Sequence, residues 1–348
     1  MHPELFEIPF INLTVRSFGV MMVIGFLAGF FLLGRLGRKI TSNPQLITNL
    51  ALYCLIAGVV GARVFYAVHH FEDLQRSWVS VFAIWHGGLE FYGGVIFAVP
   101  VIVLYTRHFK LPIRQCLDIV AIALMLGLSF GRLGCFLNGC CFGKPTDLPW
   151  AVHFPYNSFA YFSQINANPE RNRPAPRLKL PQDEYSSFVD TDGTLYPKPF
   201  EELTEQQKFE VTKGKYRCLR IHPTQLYSSA NSAILCLLLY LFWRISQKAA
   251  GSANSRQLLI RPGQTFAMAF VLYGVTRFML EYLRDDNPFE YAWWAVYKGG
   301  TVSQNLSIYL VVIGVILMAI FQLAKPNAPS TKNAVNNKNR QSKITNRK

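Results

Sequence analysis

Three residues late in the chain have a spacing that could do chemistry. Tyr273, Arg277 and Glu281 stand at i, i+4 and i+8, so a helix would place them on one face, and Arg284 extends the stripe. A guanidinium there has two uses. It can pair with a carboxylate, Glu281 or Glu90, as an ion pair between helices. It can also hold a phosphate, because its planar fork meets two phosphate oxygens at once. Segment 131–143, Gly-Arg-Leu-Gly-Cys-Phe-Leu-Asn-Gly-Cys-Cys-Phe-Gly, supplies Arg132 and Asn138 among four glycines. Glycine lets a ligand or a second helix approach the backbone closely. Two more glycine pairs, Gly87-Gly88 and Gly93-Gly94, flank Glu90 and Tyr92, with His86 just before them. Arg63 is the remaining cation set in an apolar run.

Such residues matter only if something holds them, and the composition says what. The chain has 348 residues, of which 51% are hydrophobic and 16% charged, with 27 Phe. Soluble domains carry about 25% charged residues. The net charge of +15 therefore suits neither a soluble nucleic-acid binder nor a disordered basic chain. A bilayer core about 30 Å thick needs roughly 20 apolar residues in a helix. Seven stretches qualify: Ser17–Leu36, Leu46–Val68, Leu89–Tyr105, Gln115–Phe130, Gln225–Trp243, Gln264–Leu283 and Ser303–Leu323. The expected fold is an all-α integral membrane protein with seven transmembrane helices. Its mean hydropathy is only +0.20, because a polar segment, Gly134–Ile221, separates spans four and five. That segment reads as a long extracytoplasmic loop or cap. Residues 1–324 form the membrane domain, and 325–348 a disordered basic tail. The first span ends in Arg-rich sequence rather than a small-residue cleavage site, so no cleavable signal peptide is expected.

Orientation follows the Lys and Arg near the span ends. The segments after spans one, three, five and seven carry 17 of the 35 Lys and Arg and no Asp or Glu. They belong in the cytoplasm, which puts the N-terminus in the periplasm and the C-terminus in the cytoplasm. With that orientation Arg63, Glu90, Tyr92, Arg132, Arg277 and Glu281 come to one depth, the outer leaflet. An ionisable residue at membrane depth is a functional hypothesis by default, and arginines at the outer-leaflet level point to a phospholipid head group. Asp118 falls near the inner end instead, as a local partner for Arg114.

These same residues carry a resemblance. Segment 131–143 resembles the Gly-Arg-x-Gly-Asn-Phe-x-Asn-Gly-Glu-x-x-Gly signature of the prolipoprotein diacylglyceryl transferases. Tyr273-Gly274-x-x-Arg277-Phe278-x-x-Glu281-Tyr282-x-Arg284 is similar to the family's late helix, His222-Pro223-Thr224-Gln225-Leu226-Tyr227 to its His-Pro-Ser-Gln-Leu-Tyr element, and Gly87–Gly94 to its two-Gly-pair motif. Arg16–Gly19 and Gly61–Arg63 match more loosely. The resemblance implies transfer of diacylglyceryl from phosphatidylglycerol to the lipobox cysteine of a prolipoprotein, forming a thioether and releasing glycerol phosphate. It implies the outer face of the bacterial cytoplasmic membrane, with no cofactor and no metal. Carried over, Arg132 and Arg277 hold and polarise the phosphate, and Asn138 bonds head group or glycerol. Gly143 lets the chain approach the lipid, Glu281 orients Arg277, and Tyr273 and Arg63 complete the lipid site.

The chain departs from the pattern in four places. Cys135 replaces the signature's Asn and Cys140 its Glu. Tyr92 stands where many members have the His proposed as base, and Phe18 where some have Tyr. A phenol with pKa about 10 is a poor base unless an adjacent Arg lowers it, so the base is Tyr92, His86, or no dedicated residue. A substrate thiol of pKa about 8.5 beside an Arg-rich pocket is already partly ionised. The cysteines of the polar segment allow Cys135–Cys140 or Cys141–Cys218 bonds, whereas C-x4-C-C lacks the spacing of zinc sites. Cys54, Cys116 and Cys236 read as buried small apolar residues. His222 reads as part of a helix N-terminal turn held by Thr224 and Gln225. Two other functions compete: an inactive relative that binds lipid or lipoprotein, and an anion or lipid transporter, which would show inverted repeats and midplane charges.

Overall fold

The computed structural model describes residues 4–8, 13–70, 90–249 and 261–323. His86, the Gly87-Gly88 pair and the 325–348 tail lie outside them. Each of the seven apolar stretches is a single helix. The first four are α1 (Ser17–Gly37), α2 (Gln45–His69), α3 (Phe91–His108) and α4 (Ile113–Asn138). Short helices fall in the polar segment, the longest being α5 (Phe159–Ile165) and α6 (Glu205–Thr212). Then come α7 (Thr224–Ala249), α8 (Gln264–Glu281) and α9 (Val302–Leu323). By length and composition α1, α2, α4, α7 and α9 can each cross a membrane. Their outward side chains agree: Val23, Leu27 and Phe31 on α1 and Val312, Ile316 and Ile320 on α9 are exposed, a surface suited to lipid. This is a helical membrane protein.

Two features depart from an all-α reading. Short antiparallel hairpins pair β1 (Glu4–Ile8) with β2 (Leu13–Arg16) and β3 (Ser186–Val189) with β4 (Leu195–Pro197). Strands of three to five residues are too short to show as alternation. The second hairpin turns at Asp190–Thr194, where Gly193 takes φ +77° and the Asp190 carboxylate accepts from the Thr191 N–H at 2.7 Å.

The chain divides into two compact units. The first comprises Met1–Ala28, Leu124–Arg244 and Ala267–Ile320. Within it α4 and α7 are joined by reciprocal bonds: Ser129 Oγ donates to Ser229 O at 3.0 Å, and Ser229 Oγ to Ser129 O at 2.9 Å. Paired hydroxyls of this kind satisfy each other where water is excluded. The polar segment has a core of its own, around Phe142, Phe154, Tyr161, Ile165, Leu195 and Val211. Asn166 ties it together, accepting from Leu195 N at 2.7 Å and donating to Leu195 O at 3.0 Å.

The second unit comprises Gly29–Ala123, Ile245–Phe266 and Phe321–Lys348. Here α2 and α3 meet backbone to backbone. A Cβ on Gly61 would lie 2.4 Å from Gly93 O, and one on Gly93 2.4 Å from Gly61 O. The Gly93 half of the two-pair motif therefore serves helix packing. Asp118 is not a partner for Arg114. It accepts from the Gly263 N–H at 2.8 Å and the Phe266 N–H at 2.9 Å, capping the start of α8, where free N–H groups and the helix dipole favour an anion. Arg114 lies over the Phe321 ring, 5.5 Å from its centroid.

Candidate active site

The first unit assembles the site from the end of α4, the strap that follows it, and the facing ends of α7, α8 and α9. Helix α4 runs beyond its apolar stretch to Asn138, so Arg132, Gly134, Cys135 and Asn138 are helical rather than the opening of a loop. The chain then turns through Gly139 (φ +81°) and Cys141 (φ +61°). A left-handed non-glycine residue needs outside support, and α7 gives it. Thr224 Oγ1 donates to Cys141 O at 2.8 Å, and Gln225 Nε2 to Cys140 O at 2.7 Å. The Cys140 thiol points back at the helix end, 3.8 Å from Cys135 O.

Beyond the turn the strap runs between α8 and α7. Gly143 bridges to Arg284, Lys144 N–H donates to Leu283 O at 2.8 Å, and His222 N–H donates to Lys144 O at 3.0 Å. A Cβ at Gly143 would lie 2.5 Å from His222 O and 2.8 Å from Thr224 Cγ2. The group that approaches Gly143 so closely is thus the protein's own His222–Thr224, which accounts for the glycine without a lipid. Burial and the nearby Lys144 charge hold the His222 imidazole below its usual pKa.

On α8, Arg277 donates from Nη2 to Ser303 Oγ at 2.9 Å, and its Nη1 lies 2.7 Å from Glu281 Oε2. The second contact is an ion pair but not a well-angled hydrogen bond: both atoms are buried without a hydrogen-bond partner. Glu281 has no exposed side-chain surface. Its Oε1 accepts from Thr301 Oγ1 at 3.0 Å and from Asn287 Nδ2, and Arg284 Nε is 3.8 Å from its Oε2. Arg284 itself is bound by Asp286 through Nε and Nη2, at 2.8 and 2.5 Å. Burial alone would lower its pKa, but the Asp286 carboxylate more than offsets this and holds it above the ordinary value. Arg132 contacts only a thiol in the same fashion, with Nη1 3.6 Å from Cys141 Sγ, and among the described residues no carboxylate pairs with it. Hydrogen bonds from the Cys135 and Cys140 thiols, with the Arg284 and Arg132 charges, hold the Cys141 thiol below its ordinary pKa against burial.

Arg132, Tyr273 and Arg277 line one cavity with Ser228, Asn231, Ser232 and Leu280. Its volume is about 10 Å³, room for a single water. Two guanidinium groups, a phenol, an amide and two hydroxyls around one small space are a donor set for an anion. A second, larger cavity of about 720 Å³ lies in the polar segment, walled by Phe136, Phe154, Tyr156 and Phe200 with His153 and Arg217.

One family model, described as prolipoprotein diacylglyceryl transferase, matches residues 3–320. The chain belongs to the prolipoprotein diacylglyceryl transferase family. Relatives named phosphatidylglycerol–prolipoprotein diacylglyceryl transferase occur across bacteria. One from Synechococcus elongatus is 26% identical over 90% of this chain and 85% of its own. Another from Clostridium tetani is 25% identical over 93% of this chain and all of its own. A third from Rhodospirillum rubrum is 27% identical over 94% of each.

Of the residues that sequence reasoning put forward, the cavity joins Arg132, Tyr273 and Arg277, with Glu281 behind Arg277 and Asn138 at the end of α4. Arg63, Glu90 and Tyr92 belong to the second unit. There Glu90 pairs with His69 at 2.8 Å, not with Arg277. Arg63 is buried with its guanidinium 5.1 Å from the Tyr66 ring centroid, and Tyr92 is 58% exposed. His86 lies outside the described residues. All seven cysteines are free thiols, so neither candidate disulfide is formed. Three polar residues that serve Arg277 and Glu281 escaped notice, Asn287, Thr301 and Ser303, as did Asn231, which lines the cavity and donates to Thr276 Oγ1 at 3.0 Å. One signal was present. Thr301 and Gln304 make a capping box, Thr301 N–H donating to Gln304 Oε1 at 3.0 Å and Gln304 N–H to Thr301 Oγ1 at 3.2 Å, and Thr-x-x-Gln before an apolar run is its mark.

Proposed function

We propose that this chain transfers the diacylglyceryl group of phosphatidylglycerol to the lipobox cysteine of a prolipoprotein. The observation that carries the reading is the pairing of Arg132 with Arg277 around one buried polar cavity, in a chain of this family. The sulfur attacks the glycerol carbon that bears the phosphate. An S–C bond forms, the C–O bond to phosphate breaks, and glycerol phosphate leaves with the electron pair. The thiol proton passes to water. The enzyme's tasks are to align two substrates and to neutralise charge building on the leaving phosphate. Arg132 and Arg277 do the second, Tyr273 and Asn138 orient the head group, and Glu281 with Ser303 fixes the Arg277 fork. A phosphate is far larger than one water, so these side chains must part to admit it. Deprotonation of the substrate thiol needs no dedicated base, and neither Tyr92 nor His86 is essential to it.

The same reading completes the topology. Helices α3 and α8 also cross the cytoplasmic membrane, giving seven spans with the N-terminus outside and the C-terminus inside. The site then faces the outer leaflet, and the segment between α4 and α7 is an extracytoplasmic cap whose aromatic cavity guides the precursor. The test uses the purified chain in phosphatidylglycerol micelles with a lipobox peptide. A mass gain of one diacylglyceryl group on the peptide cysteine, lost in Arg132→Ala, is expected. Lipid binding without peptide modification would instead identify an inactive lipid-binding relative. Cysteine accessibility labelling from each side of the membrane tests the orientation.

A further inference from the structure

The two signature positions that depart to cysteine do not act singly. Cys135, Cys140 and Cys141 bring their sulfur atoms within 4.8 Å of one another, and all three are free. The sulfurs come from the last turn of α4 and from the turn that follows it. That turn is held by bonds that do not involve sulfur: Thr224 Oγ1 to Cys141 O and Gln225 Nε2 to Cys140 O, at 2.8 and 2.7 Å. Three soft donors are therefore set in place by the scaffold before any ligand arrives. Thiols hydrogen-bond weakly, so their mutual contacts return little for crowding three together.

Thiolate clusters select soft ions: Cu(I), Zn(II) or iron–sulfur centres. Zn(II) takes four ligands, or three and an open water position. Among the described residues no fourth His, Cys, Asp or Glu joins this group. Three sulfurs alone suit a trigonal monovalent d10 ion. Charge agrees as well. Three thiolates and one monovalent cation sum to −2, and Arg132, which has no carboxylate partner among the described residues, stands 3.6 Å from Cys141 Sγ.

We propose that Cys135, Cys140 and Cys141 form a three-thiolate site for a soft monovalent cation of the Cu(I) class. Binding replaces three S–H bonds by three sulfur–metal bonds and releases three protons, with no electron transfer. The cluster borders the transfer site at Arg132, so lipidation is measured on the metal-free chain and Cu(I) binding without lipid or peptide; failure of either reading is then distinguishable from failure of the other. The test uses the full chain in detergent, reduced and metal-free, titrated anaerobically with Cu(I) against a chromophoric Cu(I) chelator. One equivalent is expected, with three sulfur neighbours at about 2.3 Å in the X-ray absorption spectrum, the usual thiolate–metal distance. Cys140→Ser is expected to weaken Cu(I) binding about 100-fold, with the thermal unfolding midpoint of the metal-free chain close to the parent's. Cys135→Ser gives the same loss should the first variant fold poorly. Binding no tighter than in the triple serine variant overturns the proposal. So does a two-sulfur shell, a preference for Zn(II) in a four-coordinate shell, or disulfide formation in place of binding.

Discussion

Replacing Arg277 by lysine keeps the positive charge and discards the fork. In the parent the guanidinium reaches Ser303 Oγ at 2.9 Å with one nitrogen and approaches Glu281 Oε2 to 2.7 Å with another, and its side chain is 11% exposed. It also faces the cavity shared with Arg132. An ammonium is one centre. It can sit against Glu281 or donate toward the phosphate, but it cannot hold both directions in one plane. The loss is one charge-assisted hydrogen bond in the transition state, about 1.5–3 kcal/mol. At about 1.4 kcal/mol per decade this predicts a fall of roughly 10- to 150-fold in kcat/KM. The alanine variant is a poorer test. It strands the buried Glu281 carboxylate, and breaking a buried pair costs about 3–5 kcal/mol of stability, so lost activity there could be lost protein. The assay is therefore diacylglyceryl transfer to a lipobox peptide under single-turnover conditions, with thermal unfolding of parent and lysine variant alongside. We expect unfolding midpoints close together and rates far apart. A lysine variant that turns over within about threefold of the parent would refute the phosphate-clamp role, since a threefold change is well under one such bond.

Other changes separate scaffold from chemistry. Gly143→Ala drives a methyl group to 2.5 Å from His222 O, and a thermal melt should show a loss of about 1–3 kcal/mol from overpacking. Asp118→Ala uncaps α8 and should cost about 1–2 kcal/mol in chemical unfolding, with kcat of the folded fraction unchanged. Tyr92→Phe and His86→Gln should both keep a measurable rate across the pH–rate profile; an abolished rate at every pH in either one would show that a dedicated base exists. The His222 imidazole is held below its ordinary value of 6.5 by burial and Lys144. The unfolded chain therefore binds its proton first, and this residue's share of stability is full above pH 6.5 and declines as pH falls below it. In His222→Asn the unfolding midpoint should lose that part of its acid dependence.

The helices could be read because a bilayer demands one thing, a long apolar run, and all seven runs are helical. Their limits were harder. The apolar run of the fourth ends at Phe130, but the helix continues to Asn138, because Gly131, Gly134 and Cys135 pack against neighbours without needing apolar bulk. Within the site, Arg277 and Glu281 were legible because four residues make one helical turn. Ser303, Thr301 and Asn287 were not, since they reach Glu281 and Arg277 from another helix and its preceding turn, and no spacing rule links them. Sorting residues by membrane depth had a different weakness. Depth is one coordinate, so it grouped Glu90 with the arginines although its carboxylate is bound to His69, and it read Asp118 as an ion-pair partner although backbone N–H groups satisfy it.

What distinguishes a working arginine from a structural one here is how far its charge is already spoken for. Arg173 and Arg177 both bind Asp285, whose side chain is 5% exposed, and Arg284 is held on two atoms by Asp286. The Arg173 and Arg177 groups join the polar segment to the chain after α8, and all three have little left to offer a substrate. Arg277 is half committed, since Glu281 is also engaged by Thr301, Asn287 and Arg284. Arg132 has a thiol where the others have a carboxylate. A buried cation without an anion is costly, and the cost is recovered only when an anion enters. The cavity between Arg132 and Arg277 is where that deficit lies, so a phosphate bound there would be stabilised most as its negative charge grows in the transition state.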